Sequence, residues 1–186
     1  YALARAVGLY EGTLLEAIQR FKYRGQVGLG RILGSLMADG IRGMWEMGAF
    51  SLIIPVPLHR KRLRERGFNQ SVILARAISG RCALPLDFLS LDRALFTKPQ
   101  VGLGREERTA NVRGAFTVRR PERVKGERIL LVDDVYTTGS TLSECSRMLL
   151  DAGADSVAVF TLARAVAGDQ APGKPDDAAP GGNQTQ

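Results

Sequence analysis

Two adjacent acids, Asp133 and Asp134, are followed by Val135-Tyr136 and then by Thr137-Thr138-Gly139-Ser140-Thr141. Four hydroxyl residues around one glycine open onto a helical recurrence of Leu142, Cys145 and Leu149. Such a turn offers backbone N–H groups, hydroxyl donors and the positive end of a helix dipole to one ligand, a set that suits a phosphate monoester. Two carboxylates just before it would repel a bare phosphate, so they need another partner. The vicinal hydroxyls of a sugar carrying that phosphate meet the need, and the stretch reads as a holder for ribose 5-phosphate. A plainer reading, a strand end followed by a helix cap, uses the same residues.

The acids follow Ile129-Leu130-Leu131-Val132, an apolar run without alternation, as in a parallel strand covered on both faces. Open parallel sheets bind ligands at the carboxyl ends of their strands, where these acids fall. A helix opens near Ser140 and stops at Ala152-Gly153. Ser156 to Leu162 is the next strand and completes a parallel crossover.

Upstream, Ser51-Leu52-Ile53-Ile54-Pro55-Val56-Pro57 is a strand whose prolines belong at its end. The next thirteen residues, Leu58 to Gln70, hold five Lys/Arg and read as a loop on the same rim as the acids. Leu58, His59, Arg60 and Lys61 are the candidates for a pyrophosphate group; a solvated charge run is the alternative. His59 has no nucleophile to serve and reads as a hydrogen-bonding loop residue. Asn69 caps a helix through Ile78.

The remaining elements frame this core. Amphipathic spacing predicts helices over Tyr10–Tyr23 and about Val27–Arg42. Gly28-Leu29-Gly30 is a fragment of a dinucleotide fingerprint without its strand and is discarded. Leu84–Leu91 is a strand or turn, Phe96–Asn111 a mobile Gly/Pro/Arg loop, Ala115–Val118 a strand, and Arg119–Arg128 a polar turn. The division is a helical segment over 1–50, an α/β core over 51–164 and a disordered tail over 165–186.

At 186 residues, 45% apolar and 24% charged, the chain suits one globular domain. No apolar run reaches membrane-spanning length and no signal-peptide pattern is present, so no membrane insertion and a cytoplasmic location are expected. The chain opens on Tyr1 rather than Met, and the natural N-terminus is expected upstream. Cys82 and Cys145 form no zinc-type pair and read as buried thiols of a reducing compartment. The formal charge is +7, and with a net −2 on the tail the rest carries +9, which favours pyrophosphate, nucleotides or nucleic acid as partners.

Residues 129–141 resemble the thirteen-residue signature of type I phosphoribosyltransferases, whose shared ligand is 5-phosphoribosyl-1-pyrophosphate (PRPP). Pro55-Val56-Pro57-Leu58-His59, Arg66-Gly67-Phe68-Asn69-Gln70 and Arg108…Asn111…Gly114-Ala115-Phe116 resemble the ComF-type branch, which is associated with DNA uptake in competent bacteria. The resemblance implies an α/β fold with a parallel sheet flanked by helices and an N-terminal helical hood. It implies that Asp133 and Asp134 face the ribose hydroxyls and that Thr137, Thr138, Gly139, Ser140 and Thr141 hold the 5-phosphate. Arg105 and Arg108 would belong to a closing loop. Mg²⁺ would bridge pyrophosphate and ribose oxygens with no direct protein ligand, while a nitrogen acceptor displaces pyrophosphate at the anomeric carbon. Family members usually carry a cysteine-rich, zinc-binding N-terminal segment; none stands in this sequence, so zinc is not expected in this chain. The competing reading is a non-catalytic competence factor engaging single-stranded DNA and the competence helicase machinery. Against it, the basic stretch offers one aromatic residue, Phe68, and no stacking platform is evident, although phosphate contacts suffice for binding.

Overall fold

The computed structural model describes residues 1–23, 25–46, 48–96 and 105–165. Its central element is β5 (Arg128–Tyr136), covered on both faces as its apolar run requires. Ile129 and Leu131 pack against Leu142, Cys145 and Leu149 of α6 (Ser140–Asp151). Leu130 and Val132 face the opposite way, toward α1 (Gly12–Tyr23), α2 (Val27–Met44) and α4 (Gln70–Cys82). Side chains alternate along a strand, so one continuous apolar run serves both helical layers.

The sheet has four strands in the order β1 (Leu3–Leu9), β6 (Ser156–Arg164), β5, β2 (Leu52–Pro55), and every neighbouring pair is parallel. The β5-α6-β6 crossover is the expected one. Strand β2 stops pairing at Pro55↔Val132, whereas β6 accompanies β5 to Tyr136↔Arg164. A short antiparallel pair, β3 (Leu91–Arg93) with β4 (Phe116–Val118), stands beside the main sheet.

Several expectations are corrected. The first fifty residues are not wholly helical: Leu3–Leu9 is an edge strand paired with β6. Its Ala and Gly content carries little strand propensity, and its partner lies at the far end of the chain. The basic stretch is not a loop, because Arg60–Arg66 forms a helix, α3. Arg, Lys, Leu and Glu are strong helix formers, and His59 caps the first turn by accepting from the Lys61 N–H at 3.2 Å. Residues 105–112 of the expected mobile loop form a helix, α5 (Arg105–Val112), while 97–104 lie outside the described residues, as does the expected tail beyond Ala165. Strand pairing around Leu84–Leu91 is confined to an isolated Ile53↔Leu86 bridge and to Leu91 itself. Cys145 is buried as expected; Cys82 is only half-buried.

Helices α2 and α4 cross closely at Gly34, where an added Cβ would come within 2.5 Å of the Ala77 Cβ. Neither backbone can yield without opening the layer beneath. Gly34→Ala should therefore lower stability by about 1–3 kcal/mol, read as a reduced urea midpoint at unchanged slope. An unchanged midpoint would show that the crossing relaxes freely.

Candidate functional site

Because β2 leaves the sheet at Pro55, the side of β5 beyond Val132 is open on that flank, while β6 keeps the strand extended through both acids. The chain leaving β2 is tied down where it departs. Val56 N–H donates to the Val132 carbonyl at 2.9 Å, and Asn69 Nδ2 donates to the Val56 carbonyl at 3.0 Å. The Asn69 Oδ1 also accepts from the Ser71 N–H at 2.9 Å, the expected cap of α4. Ser71, the second residue of that helix, then donates its hydroxyl to Asp133 Oδ1 at 2.8 Å.

The two acids have different surroundings. Asp133 stays partly exposed, with Oδ1 accepting from Ser71 and from the Asp134 N–H at 2.9 Å. Enclosure of its carboxyl and the neighbouring Asp134 charge push its pKa up to about 7, against the opposing pull of Lys22 and these hydrogen bonds. Asp134 is 4% exposed and turned into the protein, where its Oδ2 meets Lys22 Nζ of α1 at 2.7 Å. Burial works against the Lys22 charge, but Asp134, with Asp133 and Tyr23 behind it, holds its pKa above the usual value. Of the two acids expected at one sugar, Asp133 stands partly exposed at the rim and Asp134 is held in an ion pair across the fold.

The turn after β5 keeps its expected form. Thr137, Thr138 and Thr141 are half-buried, and Thr138 Oγ1 lies 3.0 Å from Ser140 Oγ. Gly139 begins α6 in the left-handed conformation at φ +77°, and no side chain caps the helix from that position. The left-handed backbone favours glycine here, and a Cβ would also press on the Tyr136 hydroxyl at 2.6 Å, the movable end of that side chain. Beside the turn lies a cavity of about 590 Å³, walled by Val112, Arg113, Thr138, Ser140, Glu144 and Arg147 among others. Glu144 joins its two sides, accepting from the Gly114 N–H at 2.8 Å and from Arg147, whose hydrogen bond holds the carboxyl below its usual range. The backbone of Arg105 and Arg108 lies on α5, and the end of that helix is thereby brought to the turn.

Leu58 and His59 are half-buried and Arg60 and Lys61 exposed, at the same carboxyl rim of the parallel sheet as Asp133. Phe68 does not offer a face to bases; it stacks on Phe21 at 5.4 Å. Phe96 is an exposed ring at this rim. It is 48% exposed beside His59, with Lys61 Nζ 4.7 Å and Arg62 5.9 Å from its ring centre.

Lys22 and Ser71 were missed by the sequence reading, though each left a trace. Lys22 lies four residues after Ile18 on the inward stripe of α1, a cation where an apolar residue belongs. Ser71 stands three residues before Leu74 on the buried face of α4. Among the described residues no group of three or more His, Cys, Asp or Glu could hold a metal ion, and no helix is long and apolar enough to cross a membrane.

The phosphoribosyl transferase domain family matches residues 68–180. Competence protein F of Haemophilus influenzae is 36% identical over 86% of this chain and 71% of its own length. Competence protein ComFC of Bacillus subtilis is 32% identical over 86% of this chain and 63% of its length. DNA utilization protein YhgH of Escherichia coli O157:H7 is 39% identical over 60% of this chain, which spans about half of that relative (48%). Among solved structures, the allosteric regulatory enzyme of purine biosynthesis aligns over 71% of this chain and 25% of its own, at 21% identity and a TM-score of 0.49.

The raised Asp133 pKa fixes a sign for stability. An acid whose pKa is higher folded than unfolded carries extra protons in the native state, so its ionisation weakens the fold as pH rises from about 4 through about 7. Asp133→Asn, which can still accept from Ser71, should be more stable than the parent at pH 8 by ~1 kcal/mol, the gain shrinking toward pH 5. Thermal melts across that range check it; a gain independent of pH would refute the assignment.

Proposed function

Since the chain belongs to the phosphoribosyl transferase domain family, in its ComF-type competence branch, we propose that it binds PRPP with Mg²⁺ and transfers the phosphoribosyl group to a nitrogen acceptor. The observation that carries this reading is the union, within one strand–turn–helix, of a partly exposed acid with a hydroxyl-lined turn built on a left-handed glycine. Backbone N–H groups at the start of α6 and the Thr138 and Ser140 hydroxyls receive the 5-phosphate. Arg113, on the wall of the adjoining cavity, adds positive charge there, while Arg147 is paired with Glu144 and Asp151.

Asp133 accepts from the ribose hydroxyls and, ionised, favours the positive charge that develops at the anomeric carbon. Asp134 acts from behind it, through Lys22. Arg60 and Lys61, exposed at the start of α3, meet the departing pyrophosphate, and Arg105 and Arg108 on α5 close the site. Mg²⁺ would arrive on the substrate, with no direct ligand from the chain. Bound in this way, Mg²⁺ would neutralise charge on the diphosphate leaving group.

Calorimetry with PRPP and Mg²⁺ tests the reading, followed by a screen for pyrophosphate release over candidate nitrogen acceptors. Asp133→Asn should weaken PRPP binding about 10- to 100-fold, the measure of hydrogen bonds to a charged group. Absence of binding by the parent protein would refute the proposal.

A second reading is favoured by Phe96, which the structure sets under Lys61 and Arg62. Cations interleaved with an exposed ring suit single-stranded DNA, in keeping with the competence and DNA utilization names of the relatives. Its signature is an affinity for single strands that falls steeply with salt and drops by roughly 1–3 kcal/mol in Phe96→Ala. Affinity indifferent to both salt and Phe96 would exclude that surface.

A further inference from the structure

We infer that Lys22, on the N-terminal helix α1, is a positioning residue of the sugar-binding site: its ammonium locks Asp134 and leaves Asp133 as the single acid presented to an anionic ligand. This inference rests on the PRPP reading above and deepens it.

Two neighbouring carboxylates beside a phosphate cradle pose a charge problem. At close range, like charges disfavour joint ionisation, and two free anions would repel the polyanion that the site has to admit. Lys22 resolves both difficulties with one contact. Its Nζ lies 2.7 Å from Asp134 Oδ2, with the two side chains 16% and 5% exposed, so the pair is formed away from water. Buried ion pairs are poor sources of stability, because desolvation offsets most of the attraction. A cation placed on the inward stripe of α1, far along the chain from its partner, is therefore better explained by what it does to the acids than by what it adds to the fold.

Among the described residues, several elements contribute groups near the pair. Tyr10 and Tyr23 approach the pair from the α1 side. Ser71 of α4 holds Asp133, and Arg93 of β3 and Cys145 of α6 are close enough to feel its charge. The Cys145 thiol is pushed well up by burial and then by Asp133, so it stays neutral near pH 7. Among the described residues, Lys22 and Arg93 are cations that feel the two acids, and Lys22 makes the direct contact with Asp134.

Helix α1 is also held to the neighbouring basic segment. Phe21 stacks on Phe68 at 5.4 Å, and the Arg66 guanidinium lies 5.6 Å over the Tyr23 ring. The residues flanking Lys22 on both sides therefore fasten α1 to the chain that leads into Ser71. Asp134 is anchored from α1 and Asp133 from α4, and the two anchors are themselves joined.

The test follows carboxyl ¹³C signals of labelled Asp133 and Asp134 from pH 4 to 9, alongside calorimetry with Mg²⁺ and PRPP, in the parent, Lys22→Met, Lys22→Arg and Asp134→Asn. Lys22→Met should make the acid pair take up a proton at higher pH than in the parent. Its PRPP affinity should fall tenfold or more at pH 8 and recover toward pH 6, where that proton returns. Lys22→Arg keeps the charge and should stay within a few-fold. Asp134→Asn frees the Lys22 charge to act on Asp133, whose titration should move down; this arm stands even if Lys22→Met does not fold. Aspartate titrations that ignore both Lys22→Met and Asp134→Asn would overturn the inference, as would equal, pH-independent losses of affinity in Lys22→Met and Lys22→Arg. Failure of the parent to bind PRPP refutes the functional reading instead, and the carboxyl titrations then decide the role of Lys22 without any ligand.

Discussion

Strand β5 outruns its neighbour β2 by four residues, Asp133 to Tyr136, while β6 stays paired to it throughout. That unequal ladder is the constraint on which the site depends. Pairing on one flank keeps the strand extended and its side chains alternating. Departure of the chain on the other flank makes room for the start of α4. Had β2 continued, the carboxyl of Asp133 would face a pleated neighbour rather than the Ser71 hydroxyl. Had β6 also stopped, the acids would belong to a loop with no fixed direction.

Charge placed in such an enclosed corner carries a desolvation cost of several kcal/mol per ion unless it is paired and hydrogen-bonded. The protein meets that cost in two ways for two adjacent residues. Asp134 is buried with a lysine. Asp133 keeps some solvent contact and takes a hydroxyl and a backbone N–H, and its carboxyl still titrates near neutrality. One acid is fixed and the other is adjustable, a division that a pair of identical side chains does not announce.

The basic rim shows the same dependence on context. Helix α3 carries like charges at i and i+4, Arg60 with Arg64 and Arg62 with Arg66, which oppose helix formation by a few tenths of a kcal/mol per pair. Its cap at His59, the ring of Phe96 beneath Lys61 and Arg62, and the Arg66–Gln70 hydrogen bond at 2.6 Å hold it against that repulsion. The Arg-Gly-Phe-Asn-Gln block is largely architectural. Arg66 bonds Gln70, Phe68 stacks on α1, and Asn69 ties α4 to the exit of β2.

What could be read from the residues alone is what local chemistry decides. The unbroken apolar run of β5, the hydroxyl turn with its glycine, the start of α6 at Ser140, the crossover to β6 and the Asn69 cap each depend on neighbours within a few positions, and all of them stand in the structure. The helix over 60–66 is also local, its Arg, Lys, Leu and Glu being helix formers despite their like charges. What tertiary structure decided joins distant segments: β1 against β6, Lys22 against Asp134, Ser71 against Asp133, and Phe96 under the cations of α3. No periodicity encodes such meetings, because they follow from which layers close over one another and where a strand loses its neighbour. The types of the acids were legible in the chain; that Asp134 is the one paired with a cation was settled by a lysine more than a hundred residues away.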